Sequence, residues 1–245
     1  MKTVKIFKIT AIIFLLMPVY SISNTVTPFD ECKNKILSYL EKMEKMNKPE
    51  SGKVYYVRYR MHTEFSKELQ ISSSETVTEV MTSKNMLMMK DQNMKVFGDE
   101  ENVFVVIPKI KKIYWNKSDP RIFNDANTYK KFLDIQRSLL NSAVEISCVK
   151  QNDITIITVK PSAEFSKRTK LLQQKITYNN KSERIISVDN SYNRYNKIKN
   201  QTIVYEALDF NSSKKIASPI TALFRAKELK PAYKGFEIID NRENR

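Results

Sequence analysis

The stretch NVFVVIPKIKKIYW, Asn102 to Trp115, decides the fold of this chain. Val103, Phe104, Val105, Val106 and Ile107 are apolar at every position, which predicts a strand covered on both faces rather than one. Pro108 ends it. The basic run Lys109 to Lys112 turns the chain at the surface, and Ile113, Tyr114 and Trp115 resume an apolar strand, so the stretch reads as a hairpin. The reading places this hairpin in the middle of a strongly curved antiparallel sheet. Helices would cover one face of it, and the other would line a cavity that the chain does not fill with its own side chains.

Toward the N-terminus, Asp30 can cap a helix in which Ile36, Leu37, Leu40 and Met43 recur at helical spacing, ending before Pro49. After Gly52, Val57, Tyr59 and Met61 alternate with Arg58, Arg60 and His62, the pattern of a half-covered strand. Thr76 to Thr82, Asn85 to Lys90 and Met94 to Phe97 read as further strands. Beyond the hairpin the period changes: Ile122, Ala126, Tyr129, Leu133 and Leu140 predict helix between Arg121 and Ala143. Strands follow at Val144 to Lys150, Ile154 to Lys160, Lys175 to Tyr178, Arg184 to Val188 and Thr202 to Phe210. A short helix is expected around Ile220 to Lys227, and Gly235 to Asp240 forms a last apolar segment. One helix, about six strands, a helical insert and about five more strands describe an α+β chain built on an antiparallel meander.

Residues 1–23 have the three parts of a secretory signal: Lys2, Lys5 and Lys8, an apolar run from Ile9 to Val19, then Ser21 and Ser23. Retention as an uncut anchor is the alternative. Residues 24–245 then read as a single exported domain, with 211–245 as a tail that either folds against it or extends toward a partner. The formal charge is +15, and the leader lysines, with no acidic residue beside them, leave +12. On an exported chain this balance points to anionic lipid headgroups or an acidic protein surface, with nucleic acid set aside; a solvated basic surface explains it equally. Cys32 and Cys148 are the only cysteines. In an oxidising compartment one pairing is open to them, tying the first helix to a later strand, and free thiols are the alternative.

Four pieces resemble the LolA-like superfamily of periplasmic lipoprotein carriers. They are the early amphipathic helix, the strand that ends at Pro108 and returns at Ile113, the pair Asp153 to Pro161 and Ile176 to Val188, and the closing Gly235 to Arg242. The closing piece carries most of the resemblance: a glycine, alternating apolar residues, Asp240 and Arg242. The resemblance implies an incomplete antiparallel β-barrel with a helical lid, and a hydrophobic cavity that carries lipoprotein acyl chains through the periplasm. Ile107 departs from the polar residue usual before the proline. The family's gating arginine has no counterpart between Thr76 and Met94, although Arg58 and Arg60 lie on an earlier strand.

Candidate lipid-contacting residues are Tyr55, Tyr59, Met61, Met86, Met88, Phe104 and Val106. Methionine suits a wall that must adapt to flexible chains, while ordinary core packing and a thioether copper site are the competing readings of the cluster Met81 to Met94. Which sheet face these residues share depends on register, since a slip of one residue exchanges the faces. Catalysis is not expected: His62 is the single histidine, Glu64 shares its face, and no nucleophile is marked out. Glycines at 52, 98 and 235 alone form no phosphate loop, and a structural zinc site lacks ligands. No cofactor is expected. The expected partners are acyl chains or lipoproteins, together with an inner- or outer-membrane protein. A non-catalytic module that docks an envelope complex on the same fold is the alternative.

Overall fold

The computed structural model describes residues 28–46, 49–119 and 126–243; the leader read in 1–23 lies outside them. Helix α1 (Pro28–Met46) opens with Asp30 and Glu31 at its electropositive end. It buries Cys32, Ile36, Tyr39 and Leu40 on one side. Strands β1 (Val54–Phe65), β2 (Ser73–Thr82), β3 (Leu87–Lys90), β4 (Lys95–Gly98), β5 (Asn102–Ile107) and β6 (Lys112–Lys117) follow. Helix α2 (Ala126–Asn141) precedes β7 (Ala143–Gln151) and β8 (Ile154–Pro161). Helix α3 (Ala163–Thr169) leads to β9 (Leu171–Asn179), β10 (Arg184–Tyr192) and β11 (Ile198–Ser212). The tail holds α4 (Pro219–Leu223), a small hairpin of β12 (Phe224–Arg225) and β13 (Glu228–Leu229), and β14 (Glu237–Asp240).

These strands make a twelve-stranded sheet in the order β14-β6-β5-β4-β3-β2-β1-β11-β10-β9-β8-β7, with β12 and β13 apart. Every pairing is antiparallel except that of β14 with β6, which is parallel. The architecture is α+β, an unclosed antiparallel barrel whose outer strands are β14 and β7. Two meanders, β1–β6 and β7–β11, are joined by β1 against β11, paired from Val54↔Ser212 to Phe65↔Ile198. That seam, and not the β5–β6 hairpin, is the middle of the sheet. Only β14 lies outside the hairpin, because the second meander adds its strands on the far side of β1. At the hairpin itself Pro108 starts a 3-10 turn that Lys111 closes at φ 50.

The first half of the sheet has a sharp division of faces, because residues directly opposite each other project the same way. Tyr56, Met81, Met88, Phe97, Phe104 and Trp115 form one row across β1 to β6. The tail crosses this face. Leu223, Phe224, Leu229, Tyr233 and Phe236 pack on Phe104, Val106 and Ile113, and Ile216 packs on the cluster of Tyr56, Met81 and Met88. The tail therefore folds against the domain. Gly235, at φ 79, turns it into β14.

The opposite row is Val57, Val80, Met89, Val96, Val105 and Tyr114. Its face continues through Met61, Ile203, Val188, Ile176, Ile157 and Cys148 to the other edge. Over β7–β10, α1 and α2 cover it, packing Ile36, Leu40, Leu133 and Leu140 on Ile146, Ile157, Val159 and Ile176. A disulfide between Cys32 and Cys148, with Cα atoms 5.9 Å apart, ties α1 to β7.

The apolar run of β5 is thus buried on one side only. Phe104 and Val106 are fully enclosed, while Val103, Val105 and Ile107 stay half-exposed on the helix-bearing side. Helix α3 has no counterpart in the sequence reading, and the helix expected around Ile220 to Lys227 stops at Leu223. Both are too short to show a helical period. Their signals are caps: Ser162 accepts from Phe165 N–H at 3.3 Å, and Ser218 from Thr221 N–H at 3.3 Å.

Candidate functional site

The helix layer stops short of the sheet's centre, and a slot of about 90 Å³ remains at that margin. Ile36, Leu40 and Met43 of α1 form its roof, with Gln136 of α2 beside them. Ile176, Ile185, Val188, Ile203 and Tyr205 form its floor. Tyr205 carries the apolar surface onward, since its ring lies 6.3 Å from that of Tyr59, its register partner on β1. Burial pushes the Tyr205 phenol above its ordinary pKa. The same cause raises Tyr39 to about 12, where its ring meets that of Tyr178 edge-on at 5.7 Å. Both phenols are neutral in the physiological range, so Tyr205 brings no tyrosinate charge to the lining.

Besides Gln136, one hydrogen-bonded polar pair interrupts the apolar lining. Gln174, only 4% exposed, donates through Nε2 to Asn190 Oδ1 at 3.0 Å. Its carbonyl oxygen Oε1 has no hydrogen-bond partner among the described residues. A buried acceptor left without a donor costs about 1–3 kcal/mol. A hydroxyl or amide N–H on a guest would satisfy it. The slot can therefore hold a hydrocarbon segment and recognise a donor at one point along it.

The residues singled out from the sequence fall in three places. Tyr55, Tyr59 and Met61 share the helix-bearing face, Tyr55 stacked obliquely on Phe210 at 5.4 Å. Met86 sits in the β2–β3 turn, its N–H donating to Ser83 Oγ at 3.2 Å. There it lines an open groove of about 670 Å³ between 49–54, 83–86 and 214–216. Met88, Phe104 and Val106 lie on the other face, where the tail's own side chains fill the space against them. Those three positions are core, because the even-numbered residues of β3 and β5 project away from the helices.

Arg58 and Arg60 also lie on the tail-bearing face, in an exposed charge lattice. Arg58 and Arg60 meet Glu206 at 2.8 and 2.9 Å, and Arg60 also meets Glu75 at 2.8 Å. Glu64, two residues from His62, accepts from Asn200 at 2.8 Å. Among the described residues, no three His, Cys, Asp or Glu side chains converge as metal ligands. Met81 and Met88 pack with Tyr56 and Phe97.

Gln174, Asn190, Ile203 and Tyr205 escaped the sequence reading. It sought the cavity wall on β1 to β5, and the slot is built mostly by α1 and β9–β11. The alternation of Ile203 and Tyr205 within Thr202 to Phe210 was the available signal.

No family model matches this chain, and no curated protein matches it. Among solved structures, it is similar to a conserved protein from Thermus thermophilus, at 6% identity and TM-score 0.40 over 84% of this chain and 99% of that one. It is similar to LprF from Mycobacterium bovis, at 6% identity and TM-score 0.37 over 77% and 96%. It is also similar to a LolA superfamily protein from Nitrosomonas europaea, at 7% identity and TM-score 0.29 over 75% and 96%.

Proposed function

We propose that this protein is a non-catalytic carrier that holds acyl chains against the helix-bearing face of its sheet. The observation that carries the reading is the mismatch between apolar surface and cover. One row across that face is apolar from β5 to β8, flanked on β2 by Thr76, Thr78 and Thr82, yet α1 and α2 cover only the β7–β10 half. From Val80 to Tyr114 the row stays half-exposed, next to a slot already open under α1. Each methylene buried there contributes about 0.8 kcal/mol, so a chain of ordinary length needs only part of its carbons covered to bind at micromolar strength.

The slot alone, at about 90 Å³, has room for roughly three water-sized volumes of ~30 Å³. A guest therefore enters it end-first, passes Tyr59 and lies along the row from Val57 to Tyr114. The leader at 1–23 and the Cys32–Cys148 disulfide support an exported, periplasmic location. No helix of the described residues is long and apolar enough to cross a membrane.

The test is titration with a fluorescent fatty acid, followed by displacement with unlabelled palmitate. Saturable binding that weakens at least tenfold when Ile203→Trp fills the slot supports the reading. Signal that never saturates, or is indifferent to Ile203→Trp, rejects it.

A further inference from the structure

The end of the sheet that carries α3 is unlike the other end. Following the strand directions, the loops 66–72, 91–94, 108–111 and 193–197, with α3 and the start of β7, all lie there. Three of these segments are joined by main-chain hydrogen bonds. Ser66 N–H donates to Lys197 O at 2.8 Å, and Asn193 N–H donates to Lys170 O at 2.9 Å. Ser162 N–H extends the chain of contacts to Ser142 O at 2.9 Å, where β7 begins. These segments of the rim, from 66–72 to the start of β7, are therefore one connected surface.

Large apolar side chains stand out from it: Ile71 at 62% exposed, beside Leu69 with which it lines an open groove, and singly Leu172 at 50%, Tyr195 at 73% and Val144 at 70%. Cations surround them. In 66–72, 162–172 and 193–197, Lys67, Lys167, Arg168, Lys170, Arg194 and Lys197 are set against only Glu68 and Glu164. Ile110 repeats the arrangement farther along the same end, exposed between Lys109 and Lys111.

The geometry points to this rim as a docking surface for an anionic lipid bilayer. Lysine and arginine sit at headgroup level while isolated aliphatic and tyrosine side chains reach the acyl boundary. A protein partner would call for an extended apolar patch, and beyond the pair Leu69 and Ile71 the apolar groups here are dispersed among charges. The inference does not depend on the slot: it concerns where the protein rests, not what it carries.

The test is flotation of the chain from Asn24 onward with vesicles of phosphatidylcholine and phosphatidylglycerol, against phosphatidylcholine alone. Binding to the anionic vesicles that weakens with salt is expected. The triple variant Lys167→Ala, Arg194→Ala and Lys197→Ala should lower partitioning about a hundredfold, at about fivefold per cation. Ile71→Ser with Tyr195→Ser should lower it about tenfold or more. The control is Val149→Ser with Lys84→Ala at the opposite end, both exposed and neither expected to matter. Equal loss in that control would mean diffuse attraction by a basic protein and would overturn the inference. Indifference to anionic vesicles at low salt would overturn it in favour of an acidic protein partner. Because every substitution is at an exposed position, circular dichroism and fatty-acid binding should match the unaltered protein.

Discussion

Truncating Leu223 to alanine separates the two faces of the sheet. Leu223 is fully enclosed, in a cluster with Phe104, Val106, Ile113 and Tyr233. Phe104 and Val106 belong to a strand bonded on both sides, so the wall beneath the lost side chain cannot collapse far. Leucine-to-alanine changes at such sites cost about 2–5 kcal/mol, and a rigid wall favours the upper half, about 3–4 kcal/mol. For a domain of this size that is a fall in Tm of about 10 °C. Urea denaturation should show a lower midpoint with an unchanged slope, which assigns the loss to stability and not to compactness. Fatty-acid affinity should stay within twofold, because Leu223 faces away from the helix-bearing side. A loss under about 1 kcal/mol would mean that the tail is not docked as described. A large change in affinity would mean that the guest lies on the tail-bearing face.

Further outcomes follow from other contacts. Cys148→Ser removes a cross-link spanning 116 residues and should destabilise by about 5 kcal/mol in the chain-entropy account, read by urea denaturation and reproduced by reductant. Asp240 has its pKa lowered to about 2 by the Arg242 side chain, which bonds it at 2.9 Å and lies 3.5 Å over the ring of Trp115. A depressed carboxylate keeps its interaction above the ordinary range and loses it as the pH falls toward about 2, so emission of the single tryptophan should change between about pH 4 and pH 2. Asp240→Asn should abolish that transition. Hexadecanol or palmitamide, which can donate to Gln174 Oε1, should bind more tightly than methyl palmitate. Gln174→Leu should remove the difference, about tenfold for one buried hydrogen bond, as measured by displacement of the fluorescent probe.

Elements with a clear period or a marked turn could be read from the sequence. The recurrence of Ile36 and Leu40 gave α1, Pro108 with its lysines gave the hairpin, and Gly235 to Asp240 gave β14. Strand neighbours were less accessible, because β1 against β11 is a pairing across more than half the chain with no local mark. That pairing moves the hairpin from the centre of the sheet toward its edge. The faces were undecidable for a related reason. Residues 103–107 are apolar at every position, so nothing in β5 says that Phe104 and Val106 meet the tail while Val103 and Val105 face the helices. Leu223 and Tyr233, which settle the matter, lie more than a hundred residues away. The slot shares this difficulty: Gln174, Asn190 and Ile203 meet only through the pairings of β9, β10 and β11, while Ile36 and Leu40 reach them from α1.

The central claim is that the helix-bearing face takes acyl chains. Native mass spectrometry of the protein, purified without detergent and followed by lipid extraction, tests it most directly. The account predicts a bound population heavier than the bare chain by the mass of an acyl-bearing lipid, stripped by solvent and restored by added lipid. A single bare mass that stays unchanged after incubation with lipid would contradict it.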